Sequence, residues 1–309
     1  MNRPQSSSLS VEYSLTLSDG CSWLLSGINE RVRWVDKFAT ILELEKNRLN
    51  GSPRLIFSSK AASNSTINQA LDCVAAKLSY RAPNAGWSVS HPDSLRIWCY
   101  NNTPDVMCEV EDNHESAEIE IINMWLALHP IYQRSMCVGG LPFHAGLIEL
   151  DGQGVLLAAP GNTGKSTCCR RLPNYWKPLC DDEALVVFDK QKRYRAHPFP
   201  TWSDYLWKDS KKTWNVQYSV PLTGVFFLEQ AAVDEIKRIG EGQAAVLMAE
   251  SATQVCEKFW RRLAREDQRS FRKEVFNNAC KMAKQIPAYR LCVSLHDEFW
   301  EKIEQVIGR

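Results

Sequence analysis

Apolar and polar positions fall into two textures along the chain, with a change near residue 138. In the first texture, short strand-like runs alternate with helix-like ones. Val11–Leu17, Arg54–Phe57, Leu95–Tyr100 and Val106–Val110 carry the β-branched, aromatic and alternating residues of strands. Val35–Leu49 and Thr66–Leu78 repeat their apolar residues at helical spacing. Polar, turn-rich stretches at 58–65 and 81–86 separate these runs, and the polar residues 1–10 predict a disordered tail. Glu115–Arg134 predicts one helix, with Ile119, Ile122, Trp125 and Leu126 at helical spacing and Pro130 ending or kinking it.

Gly139-Gly140 opens the second texture. Phe143–Leu150, the turn residues Asp151-Gly152-Gln153-Gly154 and Val155–Ala158 predict a β-hairpin. Strands are expected at Ala184–Phe188, Gly224–Leu228 and Tyr289–Val293, and helices at Gln243–Arg265, Gln268–Gln285 and Asp297–Ile307. The segment from His197 to Pro221 shows no clear period and carries Trp202, Trp207 and Trp214. A connection of that length is usually functional or disordered, and three tryptophans argue against disorder. The expected organisation is a tail (1–10), an N-terminal α+β region (11–138) suited to substrate recognition, and an α/β domain with C-terminal helices (139–309).

Between the hairpin and the next helix stands Ala-Pro-Gly-Asn-Thr-Gly-Lys-Ser-Thr, residues 159–167. This is the pattern of a phosphate-binding loop. Gly161 and Gly164 let the backbone of Asn162, Thr163 and their neighbours wrap a polyphosphate with N–H groups pointing inward. Lys165 supplies a cation for the β- and γ-phosphates, and Ser166 places a hydroxyl on Mg²⁺, with Thr167 following in the first helical turn. That helix directs its positive end at the anion. The usual first glycine is Ala159 here, a small residue that the position tolerates.

Composition narrows the function further. With 309 residues and a net charge of +1, the chain has ample core and no electrostatic case for nucleic acid or an anionic membrane surface. Its 11 cysteines are scattered, without Cys-x-x-Cys or metal-ligand spacing, which suits reduced thiols used as small hydrophobes. The N-terminal residues lack the apolar core of a signal peptide, and no apolar stretch reaches membrane-spanning length. A soluble, cytoplasmic protein is expected.

Three features gather around the loop. His144 lies on the entering hairpin. Asp181-Asp182-Glu183 precedes the strand at 184–188, where one carboxylate can hold Mg²⁺ and another can accept the proton of an attacking hydroxyl. Lys211-Lys212, Lys237-Arg238 and Arg290 are cations that could neutralise a transferring phosphoryl group, although each also suits an ordinary surface.

Leu-Pro-Phe-His-Ala (141–145), the Asp-Gly-Gln-Gly hairpin, the Asn-Thr-Gly-Lys-Ser-Thr loop and Cys-Asp-Asp-Glu (180–183) together resemble the catalytic domain of HPr kinase/phosphorylase. Those enzymes share a PEP-carboxykinase-like P-loop core. His-Pro-Phe-Pro-Thr-Trp-Ser (197–203), Pro-Leu-Thr-Gly-Val-Phe-Phe-Leu-Glu (221–229) and Ile-Pro-Ala-Tyr-Arg-Leu (286–291) look closest to relatives encoded with ribosomally made, modified peptides, of the SynChlorMet cassette type. The resemblance covers about residues 115–309; residues 1–114 do not match the N-terminal domain of HPr kinase. It implies Asp182 as the base, Asp181 and Ser166 on the metal, His144 beside the moving phosphoryl group, and a homo-oligomer. The expected function is an ATP- and Mg²⁺-dependent kinase acting on a serine of a peptide or small protein. A nucleotide-binding scaffold without transfer and a kinase of a small metabolite remain alternatives.

Overall fold

The computed structural model describes residues 12–27, 34–47, 51–59, 87–90, 95–100, 103–110, 117–208, 210–261 and 263–308. The chain is mixed α/β, with two mixed sheets. Contacts divide it into two units: one holds 21–130 with the preceding strand and Tyr205–Thr213, the other Leu17–Gly20, Ile131–Asp204 and Trp214–Arg309. Among the described residues no helix is long and apolar enough to cross a membrane.

The first unit contains β1 (Glu12–Thr16), β2 (Ser22–Gly27), α1 (Trp34–Ile41), β3 (Glu45–Lys46), β4 (Arg54–Ser59), β5 (Trp87–Ser90), β6 (Leu95–Tyr100), β7 (Thr103–Val110) and α2 (Ala117–Leu126). Its sheet runs β3-β1-β2-β4-β7-β6-β5. Leu15, Leu25, Phe38 and Phe57 form fully buried core, with the two phenylalanine rings edge to face at 6.1 Å. The helix expected to reach Leu49 stops at Ile41. Glu43 takes a left-handed φ of 51°, and the chain turns back so that Glu45 and Lys46 pair with Ser14 and Tyr13. Leu42 and Leu44 are buried in that turn, so their spacing imitates a helix that does not continue. The helix expected at 66–78 lies outside the described residues.

The single helix expected at 115–134 is two, α2 and α3 (His129–Cys137), parted at Ala127–Leu128. Pro130 occupies the first turn of α3, where its missing N–H has no intrahelical partner to lose. In α2 the buried apolar residues are Ile121, Met124 and Leu126 rather than Ile119, Ile122 and Trp125.

The second unit is built on β8 (Leu141–Leu150) and β9 (Gln153–Ala158). Asp151 and Gly152, both with positive φ, make the two-residue turn between them, the hallmark of a type I′ hairpin. There follow α4 (Lys165–Arg171), β10 (Lys177–Cys180), β11 (Glu183–Phe188), β12 (Tyr194–Phe199), α5 (Trp202–Trp207), β13 (Val220–Gln230), β14 (Glu235–Arg238), α6 (Glu241–Trp260), α7 (Arg265–Ala283), β15 (Ala288–Val293) and α8 (Phe299–Ile307). Strand β8 is long enough to serve two neighbours: residues 141–144 pair with β11 and 145–150 with β9. Strands β9, β13 and β15 are parallel, so their C-terminal ends open on one edge of the sheet.

One face of this sheet is covered by α4 and α8. Ile148, Leu157, Phe226 and Leu291 pack there with Cys168, Cys169, Phe299 and Ile303. Contact is close: a Cβ on Gly146 would stand 2.9 Å from the Cys169 sulfur. Alternate strand residues, Ala158, Phe227 and Glu229, turn to the other side, where α6 lies. All described cysteines are free thiols. Burial pushes Cys168 up to about 11 and Cys180 to about 12, so both stay protonated and unreactive.

His197 on β12 is fully buried. Its Nε2 accepts the Ser18 N–H at 3.2 Å, which leaves the proton on Nδ1 to be donated to the Val216 carbonyl at 2.8 Å. Burial, assisted by the Arg195 charge, lowers its pKa to about 4. The unfolded chain binds that proton more readily, so the ring's contribution is complete above the unfolded pKa and lost as pH falls through about 4. A shift of this size corresponds to about 3 kcal/mol. The thermal midpoint is expected to drop between pH 6.5 and 4, and His197→Gln to flatten that slope while melting lower at pH 7. An identical slope in the variant would remove His197 as the titrating group.

Candidate functional site

The loop 159–164 crosses from the end of β9 to the start of α4. Its two left-handed residues are Asn162 (φ 63°) and Gly164 (φ 108°), the second a conformation that a β-carbon would strain. Gly161 and Asn162 are exposed, while Thr163, Gly164, Ser166 and Thr167 are half-buried. Lys165 is buried at 6% exposure and curls back onto its own loop, donating to the carbonyls of Ala159 (2.9 Å) and Pro160 (3.2 Å). Burial lowers the proton affinity of its ammonium, and Asp182 and Asp181 act to restore it.

The register of the sheet brings the other candidates to this point. His144 on β8 stands opposite Glu183 on β11, so Asp181 and Asp182 arrive beside it from the turn before β11. His144 Nε2 lies 3.6 Å from an Asp182 carboxylate oxygen. Burial, with the charges of Lys165 and Lys258, depresses His144 to about 4. The pair is therefore a neutral imidazole beside a carboxylate at neutral pH, not an ion pair. Burial is also the main reason that the Asp182 pKa is raised. Asp181 and Asp204 add repulsion, and Lys165 and Lys258 oppose it. Asp181 accepts a hydrogen bond from the buried Thr201 hydroxyl just before α5. Glu183 points away from this group, into the core, where its carboxylate accepts the Tyr132 hydroxyl at 3.0 Å.

Lys165, His144, Asp181 and Asp182 thus share one electrostatic neighbourhood, with Ser166 in the adjoining helical turn. The basic residues do not all join them. Arg290 lines a cavity of about 500 Å³ beside the loop and pairs with Glu229 at 3.0 Å. Lys237 and Arg238 sit on the edge strand β14, and Lys211 and Lys212 fall in the first unit. Of the three tryptophans, Trp202 and Trp214 are buried and serve packing; Trp207 is 74% exposed.

Helix α6 contributes residues that no sequence signal marked. The Ser251 hydroxyl accepts the His144 N–H at 3.0 Å and faces the His144 carbonyl at 3.4 Å. Ser251 lines the cavity together with Leu247, Glu250 and Gln254 of the same helix. Lys258, two turns on, acts on both His144 and Asp182. Only the packing of α6 across β8 makes these residues part of the site.

Fold and site define a mixed α/β protein in which a Gly-Lys-Ser loop meets a histidine and two aspartates at one sheet edge. The family model described as SynChlorMet cassette protein ScmC matches residues 106–308, about two thirds of the chain, and the chain belongs to that family. No curated protein matches it.

Proposed function

We propose that this chain is an ATP- and Mg²⁺-dependent phosphotransferase with an HPr-kinase-like P-loop core. It moves the γ-phosphoryl group to a serine hydroxyl of a ribosomally made precursor peptide. One observation carries the reading: a desolvated lysine in a Gly-Lys-Ser loop lies beside a half-buried aspartate of raised pKa and a neutral histidine. Phosphoryl transfer needs positioning and charge neutralisation more than covalent chemistry, and these groups supply both.

In this reading the loop N–H groups hold the phosphates and Lys165 balances their charge. Asp182 takes the proton of the acceptor hydroxyl as its oxygen bonds to phosphorus and the bond to ADP breaks. A carboxylate of raised pKa is the better base for that step. His144, neutral and next to Asp182, can donate to a phosphoryl oxygen. The hard oxygen donors of Ser166 and Asp181 fit Mg²⁺, which they would hold and which would offset the negative charge of the phosphates. The cavity under the loop, with Phe227 and Leu247 as apolar walls and Gln254 and Gln230 as polar ones, suits the nucleoside end of the substrate.

Incubating the protein with ATP, Mg²⁺ and a precursor peptide from its gene neighbourhood, followed by mass spectrometry, is expected to add one phosphate to the peptide. ATP binding without any mass gain on that peptide would instead favour a nucleotide-dependent scaffold. A gain the size of a nucleotidyl group would change the reaction class.

A further inference from the structure

We propose that Thr201 is a positioning residue of the metal site: its hydroxyl fixes the Asp181 carboxylate so that the second oxygen is presented to Mg²⁺. The inference rests on the phosphotransferase reading and adds to it a residue that acts through Asp181.

The contact follows from register. Strands β11 and β12 run antiparallel, and their pairing ends with Glu183 opposite Phe199. Two residues past that pair on either strand come Asp181 and Thr201, and the Thr201 hydroxyl donates to Asp181 Oδ1. The last rung of the pairing is clamped in the core. Phe199 is fully buried, its ring meets Tyr132 edge to face at 5.3 Å, and the Tyr132 hydroxyl donates back to Glu183. On the other side of Thr201, its carbonyl accepts the Asp204 N–H at 3.0 Å and Trp202 is fully buried. Thr201 itself is 3% exposed, and a β-branched side chain is stiff at χ1, so its hydroxyl has a fixed aim.

Packing alone does not call for a hydroxyl here. Within His-Pro-Phe-Pro-Thr-Trp-Ser, the side chains of His197, Phe199 and Trp202 are core. Valine in place of Thr201 would fill a similar volume with no polar group to bury. A metal does call for one. Mg²⁺ demands near-ideal octahedral geometry, which a half-buried carboxylate free to rotate would meet only part of the time. One donor on Oδ1 stops that rotation and leaves Oδ2 for the ion. It also parts the two aspartates by role: Asp181 has an oxygen engaged by a neutral donor, while Asp182 stands 3.6 Å from the His144 ring.

The test compares the full chain with Thr201→Val and Thr201→Ser, measuring affinity for the β,γ-imido analogue of ATP with Mn²⁺, with Mg²⁺ and in EDTA. The readout is the gain in affinity that the metal brings. Thr201→Val is expected to lose about tenfold or more of that gain, as loss of an outer-shell partner does at other metal sites. Its affinity in EDTA should stay within about threefold of the parent, whereas a general loss of structure would lower both. Thr201→Ser keeps the donor and is expected to keep the gain. In an Asp181→Ala background, Thr201→Val should change the gain no further. Melting temperatures establish that each variant is folded; Thr201→Ala replaces the Val variant if that one melts early. A Val variant with the parent's metal gain overturns the role of Thr201 alone, and so does a further loss in the Asp181→Ala background. A parent protein that binds the analogue equally with metal and in EDTA sinks the metal site, and one that ignores the analogue sinks nucleotide binding. Either result takes this proposal with it.

Discussion

Asp182→Asn is expected to reduce phosphoryl transfer by about three orders of magnitude, the upper range for loss of a general base, with ATP affinity changed by less than about threefold. The substitution keeps the shape and one acceptor oxygen, so packing around the turn before β11 survives. What it removes is the proton acceptor. Asp182 is half-buried, and its raised pKa owes most to the desolvation that brings. It is also the nearer carboxylate to His144, at 3.6 Å. ATP binding should persist because the groups proposed to hold phosphate, Lys165 and the loop, are unaltered. Removing one negative charge next to Asp181 even lessens repulsion toward a triphosphate. The wild-type rate should fall on the acid side as Asp182 takes up a proton. Asp182→Asn should show a low rate across the whole range. Single-turnover transfer measured beside equilibrium ATP binding separates the two effects. Unchanged transfer would assign the base to another residue.

Much of the second unit is legible in its residues, for identifiable reasons. The β8–β9 hairpin follows from Asp151-Gly152, a dipeptide that accepts positive φ at both positions and joins two strongly apolar runs. The loop is readable because Gly164, at a φ of 108°, is demanded by local backbone geometry and Lys165 by charge. Gly161 has neither a left-handed φ nor a neighbour that a Cβ would meet. The neighbourhood of His144 and Asp182 is a matter of register: a shift of one residue between β8 and β11 would turn either side chain to the other face.

Other elements were hidden because no local pattern announces them. Tyr194–Phe199 mixes Arg195, His197 and Pro198 into a strand, and becomes one only by pairing with β11 and β13. Lys177–Cys180 is a short edge strand. The turn after α1 keeps Leu42 and Leu44 at spacings that look helical, yet both are buried by the return of the chain to β1. Ser251 and Lys258 read as ordinary residues of an amphipathic helix. The bond of Ser251 to the His144 main chain, and the reach of the Lys258 charge to His144, depend on where α6 crosses the sheet, which is tertiary information.

Lys165→Met is the complementary experiment, and its second readout does not depend on nucleotide. The first is affinity: with the cation gone, ATP·Mg²⁺ binding is expected to weaken about 100-fold or more, the loss of a charge-assisted contact of roughly 3 kcal/mol. Methionine matches the stem in volume and avoids the desolvation that lowers the lysine pKa, so the fold itself should tolerate the change. The second readout is His144. Its pKa of about 4 comes first from burial and next from the Lys165 charge. Removing that charge must move the His144 midpoint upward, toward the ordinary value near 6.5, though not all the way, because burial and Lys258 remain. Asp182 moves in the same direction, since Lys165 is the largest influence holding its proton affinity down. The imidazole can be followed by NMR across pH 3 to 7 in the isolated protein, and an upward shift is the required sign. A midpoint that stays near 4 would mean that the Lys165 ammonium does not act on His144. The two ends of the proposed transfer path would then be electrically separate, and the loop lysine could serve nucleotide binding without tuning the groups that receive the phosphate.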